Sequence, residues 1–204
     1  MIKQRIGILA GTFDPVHAGH IFFALEAIKK ANLDKVVFLP ERRPPRKQGV
    51  EHFGHRTAMI TQAIKPYKQL ELLELPDMSF NTNRTLPQLR KEFPRGQLFF
   101  LVGSSNVEDM NSSNWTEKSI RTYFKAGNLI VALREEDDLE SLKLSLASLP
   151  SRPKEVTIIS TPKKSISSSK IRQALRDNKA AVGLLPSVYR YVKNQWLYVS
   201  VNKG

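Results

Sequence analysis

The sequence predicts an α/β protein built on an open, mostly parallel sheet with helices on both faces. Short apolar runs closed by Gly or Pro recur along the chain, as buried strands do. Segments with apolar residues at helical spacing separate them. Such alternation builds strand–helix–strand units.

Ile6–Ala10, closed by Gly11, reads as the first strand. Residues 20–30 carry Ile21, Ala24, Leu25 and Ile28 on one face and read as a helix. Val36–Leu39 before Pro40 is a buried strand. Residues 55–65 read as helix, 70–75 as strand and 83–92 as helix. Leu98–Val102 before Gly103 is another strand. Residues 117–125 read as helix, 128–133 as strand, 138–148 as helix and 156–159 as the last strand. Residues 168–178 and 187–195 close the chain as helices. The length of 204 residues suits a single domain spanning 1–204, its last helices (about 165–195) packing on the sheet.

Composition narrows the function. Apolar residues make up 41% and charged residues 25%, ordinary values for a soluble globular protein. The N-terminus lacks the apolar length of a signal peptide, and no apolar run approaches a membrane span. A cytoplasmic protein without membrane contact is expected. Cysteine is absent, which excludes disulfides and thiolate metal sites. The net charge is +13, from 32 basic and 19 acidic residues, and favours anionic ligands. Arg42, Arg43, Arg46 and Lys47 form one basic cluster. Lys163, Lys164, Lys170, Arg172 and Arg176 form a second, and acids gather at Glu135–Asp138 and Glu140. Focused clusters suggest phosphate sites more than a nucleic-acid stripe, although charge alone does not exclude RNA.

Ligands of open α/β sheets bind beyond the carboxyl ends of the strands. That rule selects 11–20, 40–47, 103–106, 134 and 160–172. The first of these is Gly11-Thr12-Phe13-Asp14-Pro15-Val16-His17-Ala18-Gly19-His20. It joins a strand to a helix N-terminus, a natural phosphate site. Gly11 allows close backbone approach to a ligand, and Gly19 allows close packing. His17 and His20, three apart, share a face and can donate to one phosphate. A lone His would read as a cap or core residue; two in such a turn favour function. A zinc pair is disfavoured, because no third ligand lies nearby in sequence. Asp14 reads chiefly as a cap.

The second segment is Ser165-Ile166-Ser167-Ser168-Ser169-Lys170-Ile171-Arg172. A Ser caps the helix, the hydroxyls and N–H groups can hold phosphate, and Arg172 can clamp it. Alone it reads equally as a plain cap with a surface Arg.

Together, Gly11-Thr12-Phe13-Asp14-Pro15-x-His17-x-x-His20 and Ile166-Ser167-Ser168-Ser169-x-Ile171-Arg172 resemble the nucleotidyltransferase superfamily, and most closely the bacterial nicotinate-mononucleotide adenylyltransferases. The landmarks between them agree. Pro44-Pro45-Arg46-Lys47 resembles the family's Pro-Pro-His-Lys loop. His55-Arg56-x-x-Met59, Thr82 with Thr85-Leu86, Gly103 with Trp115, and Leu133-Arg134 resemble later segments. The likeness covers nearly the whole chain and implies a Rossmann-like fold. Several positions depart from it, among them Ser169, which stands where the family has a Thr. Ser105 stands where the family has an Asp that contacts ribose. Asn81 replaces a Tyr, Asp77 and Met78 stand where an Arg is usual, and Arg46 replaces a His.

The resemblance implies AMP transfer from ATP to the 5′-phosphate of nicotinate mononucleotide, releasing pyrophosphate, without a covalent intermediate. It implies His17, His20 and Arg172 as catalytic residues. Gly11, Thr12, Phe13, Gly19, Gly103, Ser105, Ser168 and Ser169 would bind ATP. Lys47, Thr82, Trp115 and Arg134 would bind the acceptor, with Lys47 also reaching the triphosphate. Trp115 could stack on the pyridine ring, a cation–π contact of about 0.5–2 kcal/mol. Mg²⁺ would travel with ATP, with no protein metal cage. The changed positions leave a second acceptor, nicotinamide mononucleotide or another phosphorylated metabolite, in play, as well as a basic nucleotide- or RNA-binding relative with weak activity. Trp196, Tyr189, Tyr191 and Tyr198 read as packing residues or a subunit contact, so a homo-oligomer is possible.

Overall fold

The computed structural model describes residues 3–45, 47–112, 115–134, 138–161 and 166–199, with Arg134 described by its backbone alone. The expectations for Arg46, the Arg134 side chain, Glu135–Asp137 and 162–165 lie outside the described residues.

Six parallel strands form one sheet in the order β3-β2-β1-β4-β5-β6. They are β1 (Arg5–Gly11), β2 (Lys35–Pro40), β3 (Leu70–Leu72), β4 (Gln97–Gly103), β5 (Gly127–Arg134) and β6 (Val156–Thr161). The helices are α1 (Ala18–Lys30), α2 (Phe53–Ile64), α3 (Thr85–Glu92), α4 (Ser104–Met110), α5 (Glu117–Ala126), α6 (Leu139–Ala147), α7 (Ser168–Arg176) and α8 (Pro186–Asn194). The expected open parallel sheet is therefore present, in doubly wound strand order.

The strands alternate between two cores. Leu9, Val36, Phe38, Phe99, Leu101 and Ile130 face one core, shared with α1, α2, α7 and α8. Ile6, Ile8, Val37, Leu98, Phe100 and Leu129 face the other, shared with α3 to α6. The last two helices pack on the sheet through Ile171, Leu175, Val188 and Val192. A Cβ at Gly7 would stand 2.8 Å from Val36 Cγ2 and 2.9 Å from Leu33 Cδ1, so a side chain at that point of β1 would force the packed neighbours to shift.

Two elements differ from expectation. β3 stops at Leu72, although the apolar run continues to Leu75; the Leu75 carbonyl accepts from Arg42 Nε at 3.0 Å. Residues 104–110, for which the sequence pattern predicts no element, form α4. Its polar sequence hides a buried pair at helical spacing, Val107 and Met110, and Asn106 Oδ1 accepts from the Gly103 N–H at 3.0 Å.

The register creates the cleft. β1 pairs with β2 as far as Gly11↔Pro40, but with β4 only as far as Ile8↔Phe100. Both β1 and β4 run three residues further, to Gly11 and Gly103. They therefore separate at their carboxyl ends, where the strand order reverses.

Candidate active site

The opening between β1 and β4 is a cleft of about 810 Å³. One end is formed by Gly11, Thr12, Phe13, Asp14, His20, Lys47, Ser168 and Arg172. Phe80, Phe100, Trp115 and Tyr123 line the aromatic end, and Asn106, Asp109 and Met110 come from α4.

The turn at 11–20 is built from inside. Phe13 adopts φ +52°, and the Asp14–Pro15 peptide is cis. The Phe13 ring is buried (3% exposed) and lies 5.1 Å edge-on to His20 and 5.4 Å from Phe38. It forms a floor under the imidazole. His17 stacks on His20, with ring centroids 3.8 Å apart and planes at 28°. A Cβ at Gly19 would come within 3.1 Å of His17 Nδ1. Glycine there leaves room for the His17 ring.

His20 has a defined tautomer. Its Nδ1 accepts from the His17 backbone N–H at 3.2 Å, which puts the proton of the neutral ring on Nε2. Desolvation lowers its pKa well below the usual histidine value, and the neighbouring His17 and Lys47 lower it further. The free protein thus carries a neutral His20 with one N–H to offer a ligand.

Three distant segments meet the turn. Lys47 Nζ donates to Thr12 Oγ1 at 3.0 Å. Ser168 Oγ donates to the Pro15 carbonyl at 3.0 Å. Arg172 Nη1 donates to the Asp14 carbonyl at 2.7 Å and lies 3.7 Å from Asp14 Oδ2. Ser167 caps α7 by accepting from the Lys170 N–H. The result is a cluster of N–H and O–H donors with two fixed cations, suited to a polyphosphate.

The basic clusters resolve residue by residue. Arg42 is held by the Leu75 carbonyl and lies 3.6 Å from Glu74, Arg43 is exposed, and Lys47 reaches the cleft. In the second cluster Arg172 lines the cleft, and Lys170 and Arg176 are exposed.

Of the expected site residues, Gly11, Thr12, Phe13, His20, Lys47, Trp115, Ser168 and Arg172 line the cleft. His17 and Gly19 support it from behind. Gly103, Ser105, Ser169 and Thr82 do not form its wall. Ser105 and Ser169 are exposed and Thr82 is buried. On α4, Asn106 and Asp109 face the cleft in place of Ser105. Trp115 packs edge-on to Tyr123, with centroids 5.5 Å apart.

Two residues carry more of the site than the sequence suggested. Asp14 does not cap α1, whose N-cap is His17; its buried carboxylate accepts from the Tyr198 hydroxyl at 2.5 Å. Arg56 is 1% exposed and donates to the carbonyls of Thr12 at 2.6 Å, Arg42 at 3.0 Å and Glu51 at 3.0 Å. It clamps the turn to the 41–51 loop. Burial lowers its pKa, an effect that nearby Asp14, Tyr198 and Glu41 oppose. Tyr191, half-buried, meets His55 Nδ1 at 3.0 Å, and Trp196 is 78% exposed.

Among the described residues no group of three or more His, Cys, Asp or Glu is placed to hold a metal ion, and no helix is long and apolar enough to cross a membrane.

A profile described as cytidylyltransferase-like matches residues 8–174. A probable nicotinate-nucleotide adenylyltransferase of Moorella thermoacetica is 31% identical over 202 residues, covering 95% of this chain and 91% of the relative. The chain belongs to the nicotinate-nucleotide adenylyltransferase family. The Bacillus subtilis nicotinate-nucleotide adenylyltransferase is 30% identical over 206 residues, covering 97% of this chain and all of the relative. A nicotinic acid mononucleotide adenylyltransferase of Plasmodium falciparum, solved with NaAD, shares the fold at a TM-score of 0.76 and 21% identity, covering 96% of this chain and 97% of that one. The protein is thus an enzyme of the nucleotidyltransferase class.

Proposed function

We propose that the enzyme moves AMP from ATP to the 5′-phosphate of nicotinate mononucleotide, releasing pyrophosphate, in the cytoplasm where ATP is supplied. The carrying observation is the convergence of His20, Lys47, Ser168 and Arg172 at one end of a cleft whose other end is aromatic. A phosphate monoester with a second pKa of about 6 is mostly dianionic at neutral pH, so the attacking oxygen needs no general base. The work is alignment and charge neutralisation. His20 Nε2–H donates to oxygen on the α-phosphorus as the new P–O bond forms and the bond to the β-bridging oxygen breaks. Lys47 and Arg172 take up the charge that develops on the departing pyrophosphate. His17 holds the His20 ring. The substrate is MgATP: the cleft end offers cations and N–H donors, which suit phosphate oxygens, and magnesium keeps phosphate and water as ligands. Trp115 supplies an aromatic face for the acceptor ring.

Incubation with MgATP and nicotinate mononucleotide should release pyrophosphate and an equal amount of dinucleotide. Absence of both would overturn the reading.

Glu41 favours a second acceptor. It lines the cleft, and its carboxylate accepts from the Phe80 N–H at 3.1 Å, beside the aromatic end. A negative charge there opposes a ring carboxylate and tolerates a neutral carboxamide, the group of nicotinamide mononucleotide. Competition between the two acceptors at equal concentration decides between them.

A further inference from the structure

Tyr198 lies 184 residues from Asp14 in sequence, yet its hydroxyl donates to Asp14 Oδ1 at 2.5 Å in a buried setting. Both residues are buried, at 6% and 3% exposure. Burial raises the Tyr198 pKa, and the Asp14 charge raises it further, so the phenol stays protonated and remains a donor. The other oxygen of the carboxylate, Oδ2, faces Arg172 Nη1 at 3.7 Å, too far for a hydrogen bond. Arg172 is fixed instead by the Asp14 backbone carbonyl, at 2.7 Å. Its side chain is 26% exposed and lines the cleft.

The two donors thus approach different oxygens of one buried carboxylate: Tyr198 satisfies Oδ1, and Arg172 stands off from Oδ2. While Tyr198 holds it, Arg172 has no need to close on it. Without the hydroxyl, the buried carboxylate loses its hydrogen-bond partner and needs another, and the guanidinium is the cation already beside it. A closed Arg–carboxylate fork uses the N–H groups that a phosphate would otherwise take.

We propose that Tyr198 is a positioning residue for adenylyl transfer: by holding the Asp14 carboxylate it keeps the Arg172 guanidinium open to the phosphates of ATP. Tyr198 thereby acts on the cleft through Asp14, 184 residues away in sequence. The inference rests on the reading of the cleft as an ATP site, so its test measures ATP binding apart from turnover.

The Kd of MgATP is measured by calorimetry for four proteins: the parent, Tyr198→Phe, Asp14→Asn and the double variant. Phenylalanine keeps the ring that packs in the core. Tyr198→Phe should weaken MgATP binding on the order of tenfold, while the KM for the acceptor mononucleotide changes less than about twofold. Asp14→Asn removes the charge that would capture Arg172 but retains an oxygen for Tyr198. Because Asp14 itself lines the cleft, the Kd of Asp14→Asn serves as the reference for the double variant, which should bind MgATP within about twofold of it. A merely structural role for Tyr198 gives the same tenfold loss in both backgrounds. The proposal is overturned if Tyr198→Phe binds MgATP as the parent does, or if the loss is as large in the Asp14→Asn background as in the parent. Should Tyr198→Phe fail to fold, the double variant against Asp14→Asn decides, and a tenfold difference between them overturns the proposal. A parent that binds MgATP but releases no pyrophosphate would count against the adenylyl-transfer reading and leave this one standing.

Discussion

Replacing His20 separates two jobs that one ring performs. Its Nδ1 accepts from the His17 N–H at 3.2 Å, which secures the start of α1, and its Nε2–H is the one donor left for substrate. Removing a single preorganised donor to developing charge slows a reaction by about 10²–10³-fold. Losing the backbone contact removes one neutral hydrogen bond, about 1 kcal/mol of stability. His20→Ala should therefore show both losses. His20→Asn retains a short acceptor for the His17 N–H but places no N–H where Nε2 stood. It should keep most of the stability and lose about 10²–10³-fold in kcat. Pyrophosphate release at saturating substrates gives kcat, and urea unfolding gives stability. If His20→Asn turned over within about threefold of the parent, the donor role assigned to Nε2–H would be refuted.

Further outcomes follow from the same geometry. The folded-state pKa of His20 lies below its unfolded value of 6.5, so the unfolded chain binds the proton first. Stability should fall as pH drops below about 6.5, with a slope of at most about 1.4 kcal/mol per pH unit from this group; urea midpoints measured with and without His20→Gln should reveal the difference. Arg56→Met strands one buried carbonyl, that of Thr12, and two part-buried ones, at up to about 1–3 kcal/mol for each unsatisfied group. Part of that is offset by no longer burying a cation, and a net loss of about 3–5 kcal/mol is expected in chemical unfolding. Gly19→Ala gains up to about 1 kcal/mol of helix propensity but crowds His17 Nδ1 at 3.1 Å. Its stability should hold or rise while kcat falls several-fold. Glu41→Gln should raise kcat/KM for nicotinate mononucleotide relative to nicotinamide mononucleotide, read from paired initial rates.

The sequence made the donor end of the cleft legible because its signals are local. The 11–20 turn and the 166–172 segment each carry their residue types within one turn of chain, and apolar periodicity located every strand. What stayed hidden depends on contacts between distant residues. The Tyr198–Asp14 hydrogen bond spans 184 residues and that of Arg56 to Thr12 spans 44; nothing in the spacing announces either. α4 was invisible because Ser, Asn and Asp favour turns over helix interiors, and only the burial of Val107 and Met110 makes the helix form. Ser105 was read from its place in a motif. In the helix that place points to solvent, and Asp109, one turn later, reaches the cleft instead. The fold was thus readable from patterning, and the donor residues from motifs. The clamps that set their geometry required tertiary structure.

The lowered pKa of His20 bears on how the site handles charge. A cationic imidazole beside Lys47 would have to be desolvated in the free enzyme at considerable cost. A neutral ring avoids this, and its one N–H still meets a phosphate. Protonation would put a second N–H on Nδ1, facing the His17 N–H at 3.2 Å, so the turn itself favours the neutral ring. His17 serves this twice: its ring stacks on His20, and its backbone N–H fixes the proton of the neutral form on the outward nitrogen. A substitution that kept the stack but freed His20 Nδ1 would let the proton move inward. Such a variant would still bind ATP through Lys47 and Arg172 yet lose rate, and that divergence separates the tautomer from charge as the quantity the turn controls.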